Sequence, residues 1–255
     1  MSRFALCRIV PASIAALLLL VTAGPAAAAP PGVETHVRPL ISGEERSRQP
    51  DIWACDVYFK SVRMMWVDVP DPKTGDTKKE LIWYLPYRIV NRKIEGSPEP
   101  VGPDGKRPKF VPEFELVTND NNGQQVYFDE VIPAAQAAIN RRERRTGSNR
   151  YKNTVEIVGA IPELTDADAK LEKSIYGVAT WRGVDPETDF FKIFMTGFSN
   201  GYIKVGNDRI DRRTIVQEYR RPGDNVDEVQ REIRAIGHPE WIYRPAADAT
   251  PEKPE

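Results

Sequence analysis

Five residues in the C-terminal half have the spacing of a catalytic serine motif. Residues 197–201 read Gly-Phe-Ser-Asn-Gly, which is the G-x-S-x-G pattern found at the nucleophile turn of serine hydrolases. An acid and a histidine follow in the hydrolase order: Asp208, Asp211 or Asp224, then His238. One interpretation is therefore an ester-cleaving site with Ser199 as nucleophile, His238 as base and Asp224 as the orienting acid.

The residues after Ser199 favour a hairpin instead. A nucleophile turn needs a strand before the serine and a helix after it. Residues 190–196 fit the strand, but Asn200-Gly201 is a strong hairpin signal and is followed by the strand-like run "YIKV". We therefore expect Ser199 to be a turn residue and the protein not to be an enzyme, with the serine hydrolase as the alternative.

Metal and cofactor sites are not expected from the remaining polar motifs. Asp185 and Asp189 in "DPETD" could hold a calcium ion, but Asp followed by Pro is typical of a turn. The chain has two histidines, and His36 lies in a polar, proline-rich stretch. One histidine in the folded part, without a cysteine partner, makes a zinc site unfavourable.

The densest basic patch is the predicted end of a helix. It contains Arg141, Arg142, Arg144 and Arg145, and we consider it an anion-binding candidate. The net charge of −1 provides no long-range field for nucleic acid, so no nucleic-acid partner is expected. The sequence does not identify a partner; an envelope polysaccharide and another exported protein are the two classes considered.

The tryptophans suggest a second alternative, a carbohydrate-binding module. Trp66, Trp83 and Trp181 lie in strand patterns and are expected in the core. Trp53 and Trp241 lie near the two ends of the folded part, where exposed rings could stack on a sugar.

The N-terminus has the features of an export signal. Arg3 and Arg8 precede an apolar stretch over residues 14–22, and small residues follow at 26–29. We expect a signal peptide over 1–28 and a periplasmic or secreted protein with no membrane span after cleavage. Cys55 is then the single cysteine, and we expect it to be buried.

The chain is predicted to form one domain over residues 51–245. A flexible linker over 29–50 precedes it, and a disordered tail over 246–255 follows. Helices are expected near 129–145 and 224–236, and the other periodic segments alternate as strands do. The predicted strands include residues 154–158, and Pro86 inside "LIWYLPYRIVN" marks an edge or a bulge.

Many short strands with regular turns predict a mainly β protein. The expected fold is an antiparallel β-sandwich with one or two accessory helices. "YRIVNR" at 87–92 resembles a strand of immunoglobulin-like modules in exported bacterial proteins. "TWRGVDPETDFFKIFMTGFSNGY" and "FDEVIPAAQAAINRRE" are similar to segments of uncharacterised exported bacterial proteins. This resemblance implies an immunoglobulin-like fold and no catalytic residue.

Overall fold

The computed structural model describes residues 34–245 except 72, 95–98, 103, 121–122, 167–168, 207–208 and 222–232. The expected signal peptide over 1–28 and tail over 246–255 lie outside these residues. The strands are β1 (Thr35–Val37), β2 (Asp56–Phe59), β3 (Arg63–Pro70), β4 (Thr77–Val90), β5 (Lys109–Phe110), β6 (Glu113–Asp120), β7 (Gly123–Phe128), β8 (Gly159–Ala160), β9 (Ser174–Arg182), β10 (Phe190–Thr196), β11 (Tyr202–Val205), β12 (Arg209–Arg220) and β13 (Arg234–Pro245). The helices are α1 (Gly43–Arg48), α2 (Pro133–Arg142) and a 3₁₀ turn at Gly147–Asn149.

The predicted mainly β, antiparallel sandwich is confirmed. Sheet 1 contains β1, β2, β3, β4 and β9, and sheet 2 contains β6, β7, β10, β11, β12 and β13. Side chains from both sheets share one core, in which Trp83 of sheet 1 meets Phe191 of sheet 2 edge to face at 5.3 Å. The short strands β5 and β8 pair with each other.

Strand β4 organises sheet 1 because its side chains alternate between two buried faces. Trp83 and Leu85 point into the core between the sheets, whereas Ile82 and Tyr84 belong to a second core under α2. One side of β4 pairs with β3 up to Tyr84 and with β2 from Tyr87 onward. On this side of β4, Pro86 lies in the gap between the two partners rather than at an edge or a bulge, and on the other side it lies opposite Val178 of β9.

Helix α2 covers one half of the outer face of sheet 1. Ile132, Ala135 and Ile139 pack on Val67 of β3 and Val178 of β9. The predicted helix over 129–145 is shorter at both ends. Pro133 occupies the first turn, and Arg144 has a φ of +52°, which a continuing helix cannot adopt.

The expected linker over 29–50 is wrong for residues 34–50, so the folded domain begins before residue 51. Strand β1 pairs with β2 over Thr35–Val37. Helix α1 begins at a capping box: the Ser42 side chain accepts from Glu45 N, and Glu45 Oε2 accepts from Ser42 N. Both features stabilise a segment whose prolines suggested disorder.

Two further predictions fail, one for a local reason and one because of a cross-strand partner. Residues 154–158 form turns rather than a strand, because Asn153 Oδ1 accepts from the backbone N–H groups of Val155 and Glu156. The predicted helix over 224–236 falls mostly outside the described residues, but its last residues, 234–236, lie in β13 and pair with residues 218–220 of β12. The cross-strand partner outweighs the local helical pattern there.

No helix in the described ranges is both long and apolar enough to cross a membrane.

Candidate functional site

The turn that contains Ser199 is bonded to the segment before β2. Ser199 Oγ donates to Trp53 O at 2.5 Å and accepts from Gly201 N at 3.1 Å. Asn200 Oδ1 accepts from Trp53 N at 2.7 Å, and Asn200 Nδ2 donates to Asp51 O at 3.1 Å. The turn therefore fixes the backbone of residues 51–55, a role that the motif alone does not indicate.

The glycines of the motif permit this close approach. Gly197 has a φ of +91°, and a Cβ atom there would lie 2.0 Å from Val111 O. A Cβ at Gly201 would lie 2.9 Å from Arg213 Cδ and 3.0 Å from Ile52 Cδ1. Only glycine allows the backbone of the turn to lie this close to both neighbours.

The sequence predicted a helix over 224–236 that would end just before His238, but His238 lies in strand β13 and is exposed. Two residues before it, Ile236 O accepts a hydrogen bond from Gln217 Nε2. In the described part of the chain, no hydrogen bond joins Ser199 to His238. Asp211 pairs with Arg209 in β12, and Asp208 and Asp224 lie outside the described residues.

The segment held by the Ser199 turn forms one wall of a pocket of about 320 Å³, which we name the Trp53 pocket. Strands β2 and β4 are antiparallel, with Asp56 opposite Val90. The residues before β2 and after β4 therefore meet at the same end of sheet 1. The apolar lining is Ile52, Trp53, Ala54, Ile94, Pro100 and Leu164, and the charged lining is Arg92, Lys93 and Glu99.

Arg92, which lines the pocket from the end of β4, is held by ion pairs. Its Nε lies 3.2 Å from Asp56 Oδ2, and its Nη2 donates to Glu172. Asp56 is buried and also accepts from His36 Nε2 at 2.5 Å, so that nitrogen carries the proton. Arg88 completes the set by bonding Glu34 and Glu172. We call Glu34, His36, Asp56, Arg88, Arg92 and Glu172 the ion network.

The ion network lies on the half of the outer face of sheet 1 that contains β1 and β2. His36, Tyr58 and Arg88 are cross-strand neighbours in register. The His36 and Tyr58 rings stack at 4.2 Å, and the Arg88 guanidinium lies 3.7 Å from the Tyr58 ring centre. Each of these side chains is therefore fixed by a neighbour on the same face.

The arginines of the ion network favour the charged form of Glu172. Burial raises the pKa of Glu172, but hydrogen bonds and charge from Arg88 and Arg92 outweigh burial and bring the pKa below its ordinary value. Because Arg92 is already neutralised by Asp56 and Glu172, the network positions the guanidinium at the pocket without leaving a large uncompensated charge there.

The predicted turn at Asp185 has the geometry of a turn. Asp185 Oδ1 accepts from Glu187 N at 2.9 Å, and Asp185 O accepts from Thr188 N at 3.1 Å. The Asp189 backbone carbonyl accepts from Arg221 N. Across the described ranges, no group of three or more His, Cys, Asp or Glu side chains is placed to hold a metal ion.

The basic patch is divided by the fold. Arg141 and Arg142 end helix α2. The Arg145 guanidinium lies over the rings of Tyr151 and Tyr176, at 5.1 and 4.8 Å from their centres. Glu143, between these arginines, bonds to Lys60 and Arg63 and fastens the helix end to sheet 1. Anion binding by Arg141, Arg142, Arg144 and Arg145 stays a prediction.

The tryptophans and the cysteine occupy different surroundings. Trp83 and Trp181 are in the core as expected, but Trp66 of the edge strand β3 is 42 % exposed. Trp53 is only 7 % exposed, and the Arg213 guanidinium lies 4.4 Å from the Trp241 ring centre. Cys55 is buried and free, as predicted, and burial raises the pKa of its thiol.

The Trp53 pocket and the ion network were not predicted from the sequence. His36 was expected in a linker, although it lies in β1. A usable signal was present: Glu34 and His36, then Asp56 and Tyr58, have the two-residue spacing that puts side chains on one face of a strand. Arg88 and Arg92 repeat this parity at the end of β4.

Comparison with protein-family models, curated proteins and solved structures found no match to this chain.

Proposed function

We propose that this chain is an exported, non-enzymatic binding protein whose ligand occupies the Trp53 pocket. The observation that carries the proposal is a pocket of about 320 Å³ whose two sides are each fixed from outside it. Pockets for small ligands are mainly apolar, with a few fixed polar groups, and measure about 300–1,000 Å³. The ligand class that fits is a small, largely apolar molecule with one charged end.

The charged rim determines where the polar end lies. Lys93 and Glu99 are both exposed at the pocket, and Arg92 is fixed by Asp56 and Glu172. The apolar body would contact Trp53, Ile94 and Leu164. An anionic end beside Lys93 is the arrangement we propose, because a solvated lysine can pair with it at little desolvation cost.

Anilinonaphthalene sulfonate, an apolar ring system with one sulfonate, is a direct probe of this proposal. We expect saturable binding to the folded protein with enhanced fluorescence. Leu164→Trp fills the pocket and should abolish binding, whereas Leu171→Trp, at an exposed position outside it, should not. Binding that survives Leu164→Trp, or no binding at all, would contradict the proposal.

A charge reversal tests the proposed orientation. Lys93→Glu should weaken dye binding by about tenfold, which corresponds to roughly 1.4 kcal/mol. Lys109→Glu makes the same change at an exposed residue of β5 that does not line the pocket, and it should leave the affinity unchanged.

The non-enzymatic part of the proposal is supported by the contacts of Ser199. Its hydroxyl is used in the bond to Trp53 O, and the turn holds the pocket wall. A fluorophosphonate probe should therefore leave the protein unlabelled. Stoichiometric labelling of Ser199 that disappears in His238→Ala would establish the serine hydrolase alternative instead.

Export is supported by the basic, apolar and small-residue order of residues 1–28. Protein recovered from the native host should begin at or near Ala29, and an intact Met1 or Ser2 would contradict export. The immunoglobulin-like character and the kinship with uncharacterised exported bacterial proteins belong to the same proposal, and they rest on "YRIVNR" and the two longer segments quoted above.

A further inference from the structure

Strand β7 is an edge strand that lacks the usual protection. It pairs with β6 on one side, and no other described strand pairs with it. Its sequence, Gly-Gln-Gln-Val-Tyr-Phe, contains neither a charged residue nor a proline. Val126 and Phe128 are 50 % and 55 % exposed. An exposed edge of this composition is a template for pairing with another strand.

The register shows which backbone groups face the open side. Asp129 N donates to Phe114 O, next to the pair Phe128 and Glu115. In an antiparallel ladder the hydrogen-bonded pairs alternate, so Gln125 and Tyr127 bond to β6. The N–H and C=O groups of Gln124, Val126 and Phe128 therefore point away from the sheet.

The other edges of the two large sheets are protected in familiar ways. Strand β3 carries Arg63, Asp68 and Pro70, and β11 carries Lys204. On the open side of β9, the backbone N–H groups of Lys152 and Glu130 donate hydrogen bonds to carbonyl groups of the strand. Strand β1 has only three residues, and β13 contains two prolines and several charges. These are the devices that prevent strand addition, and β7 has none of them.

We propose that β7 pairs in antiparallel orientation with β7 of a second copy of this chain. A two-fold axis at Val126 would place Val126 opposite its own counterpart and Gln124 opposite Phe128. The outward N–H and C=O groups of these residues would then bond in reciprocal pairs. Because β7 is uncharged, the symmetric arrangement brings no like charges together, whereas pairing β3 or β13 with itself would juxtapose charged side chains.

Self-pairing also limits the size of the assembly. Each copy has one β7 edge, and an isologous contact uses that edge on both partners. The two copies of sheet 2 would join into one continuous sheet, and the product would be a closed dimer rather than a fibre.

Sedimentation equilibrium and light scattering of the full chain without its residues 1–28 test the proposal. We expect a concentration-dependent dimer whose dissociation constant is below about 1 mM. Val126→Lys should raise the dissociation constant at least about tenfold, because two lysines would lie opposite each other. Val155→Lys makes the same change at a 69 % exposed site in a turn and should leave it unchanged.

A proline pair tests the register itself. Val126→Pro removes an N–H that faces outward, so the monomer should stay folded while the dimer is lost. Gln125→Pro removes an N–H that bonds to β6 and should lower the melting temperature of the monomer. In the dimer, hydrogen exchange at Gln124, Val126 and Phe128 should slow relative to the Val126→Lys monomer.

A protein that is monomeric at all concentrations would overturn this proposal. A dimer that is insensitive to both Val126→Lys and Val126→Pro would overturn it too, because copies would then associate through another surface. Association of β7 with an unrelated extended peptide but not with a second copy would be a third contradicting result.

Discussion

The two sides of the Trp53 pocket are fixed by different kinds of interaction. Ile52–Ala54 is held by hydrogen bonds to uncharged groups of the Ser199 turn, of which the bond from Ser199 to Trp53 O is buried and that from Trp53 N to Asn200 is partly buried. Arg92 is held by carboxylates, and its side chain and that of Glu172 are partly exposed to solvent. Neutral buried bonds depend on geometry, whereas partly exposed ion pairs also depend on pH and salt. The two sides should therefore respond differently to mutation and to solution conditions.

The largest effect is expected for Gly197→Ala on the neutral side. The new Cβ would lie 2.0 Å from Val111 O at a φ of +91°, so residue 197 must move away from Val111 and disturb the turn that bonds residues 51–55. We expect a loss of at least about 3 kcal/mol in the free energy of unfolding, measured by chemical denaturation. Gly183→Ala is the matched control, because Gly183 also has a positive φ but has open space around it.

The control should lose only about 1 kcal/mol, the cost of the backbone conformation alone. Equal losses in the two variants would mean that the approach to Val111 does not determine the position of the turn.

Asn200→Ala should have the next largest effect. It removes the acceptor of Trp53 N and the donor to Asp51 O, and leaves a backbone N–H without its partner. We expect a loss of about 2 kcal/mol and weaker dye binding at the pocket. Asn200→Asp keeps the acceptor for Trp53 N and should lose less. A loss in Asn200→Asp as large as that in Asn200→Ala would mean that the bond from Trp53 N does not hold the segment.

Ser199→Ala should cost less than Asn200→Ala but more than a surface substitution. The variant loses the bonds to Trp53 O and from Gly201 N, yet Trp53 O keeps a bond from Asn200 N at 3.3 Å. We expect a loss of about 1 kcal/mol by denaturation. No change in stability would mean that the hydroxyl does not contribute to holding the turn.

The smallest effect should come from Glu172→Gln on the ionic side. Because the folded pKa of Glu172 is lowered, its contribution is complete above the ordinary glutamate pKa of about 4.3 and is lost as pH falls through the folded value. Between neutral pH and acid, the wild type should lose up to about 1 kcal/mol more stability than Glu172→Gln.

Salt should separate the two sides in the same experiment. At neutral pH, added sodium chloride should reduce the difference in the free energy of unfolding between wild type and Glu172→Gln. The difference between wild type and Asn200→Ala should stay unchanged. Glu187→Gln, at an exposed turn position, controls for the loss of one charge. A Glu172→Gln difference that is independent of both pH and salt would contradict the ionic description.

The fold was predictable wherever local pattern and tertiary context agreed. The aromatic and β-branched residues of β4 and the apolar run of β10 indicated strands, and Pro133 with the alanines indicated α2. The predictions failed where a partner distant in sequence decided the conformation, as β12 does for residues 234–236. They also failed at 154–158, where the Asn153 side chain competes for the backbone N–H groups.

The turn character of Asn200-Gly201 follows from these two residues alone, and the two-residue spacing in each strand places Glu34 with His36 and Asp56 with Tyr58 on one face. That β1, β2 and β4 are neighbours in register, and that the turn reaches residues 51–55, depends on how the sheets assemble. The difference is one of range along the chain. Turn and strand preferences arise from neighbouring residues, whereas the pocket and the ion network join groups that are far apart in the chain and meet only when the sheets have formed.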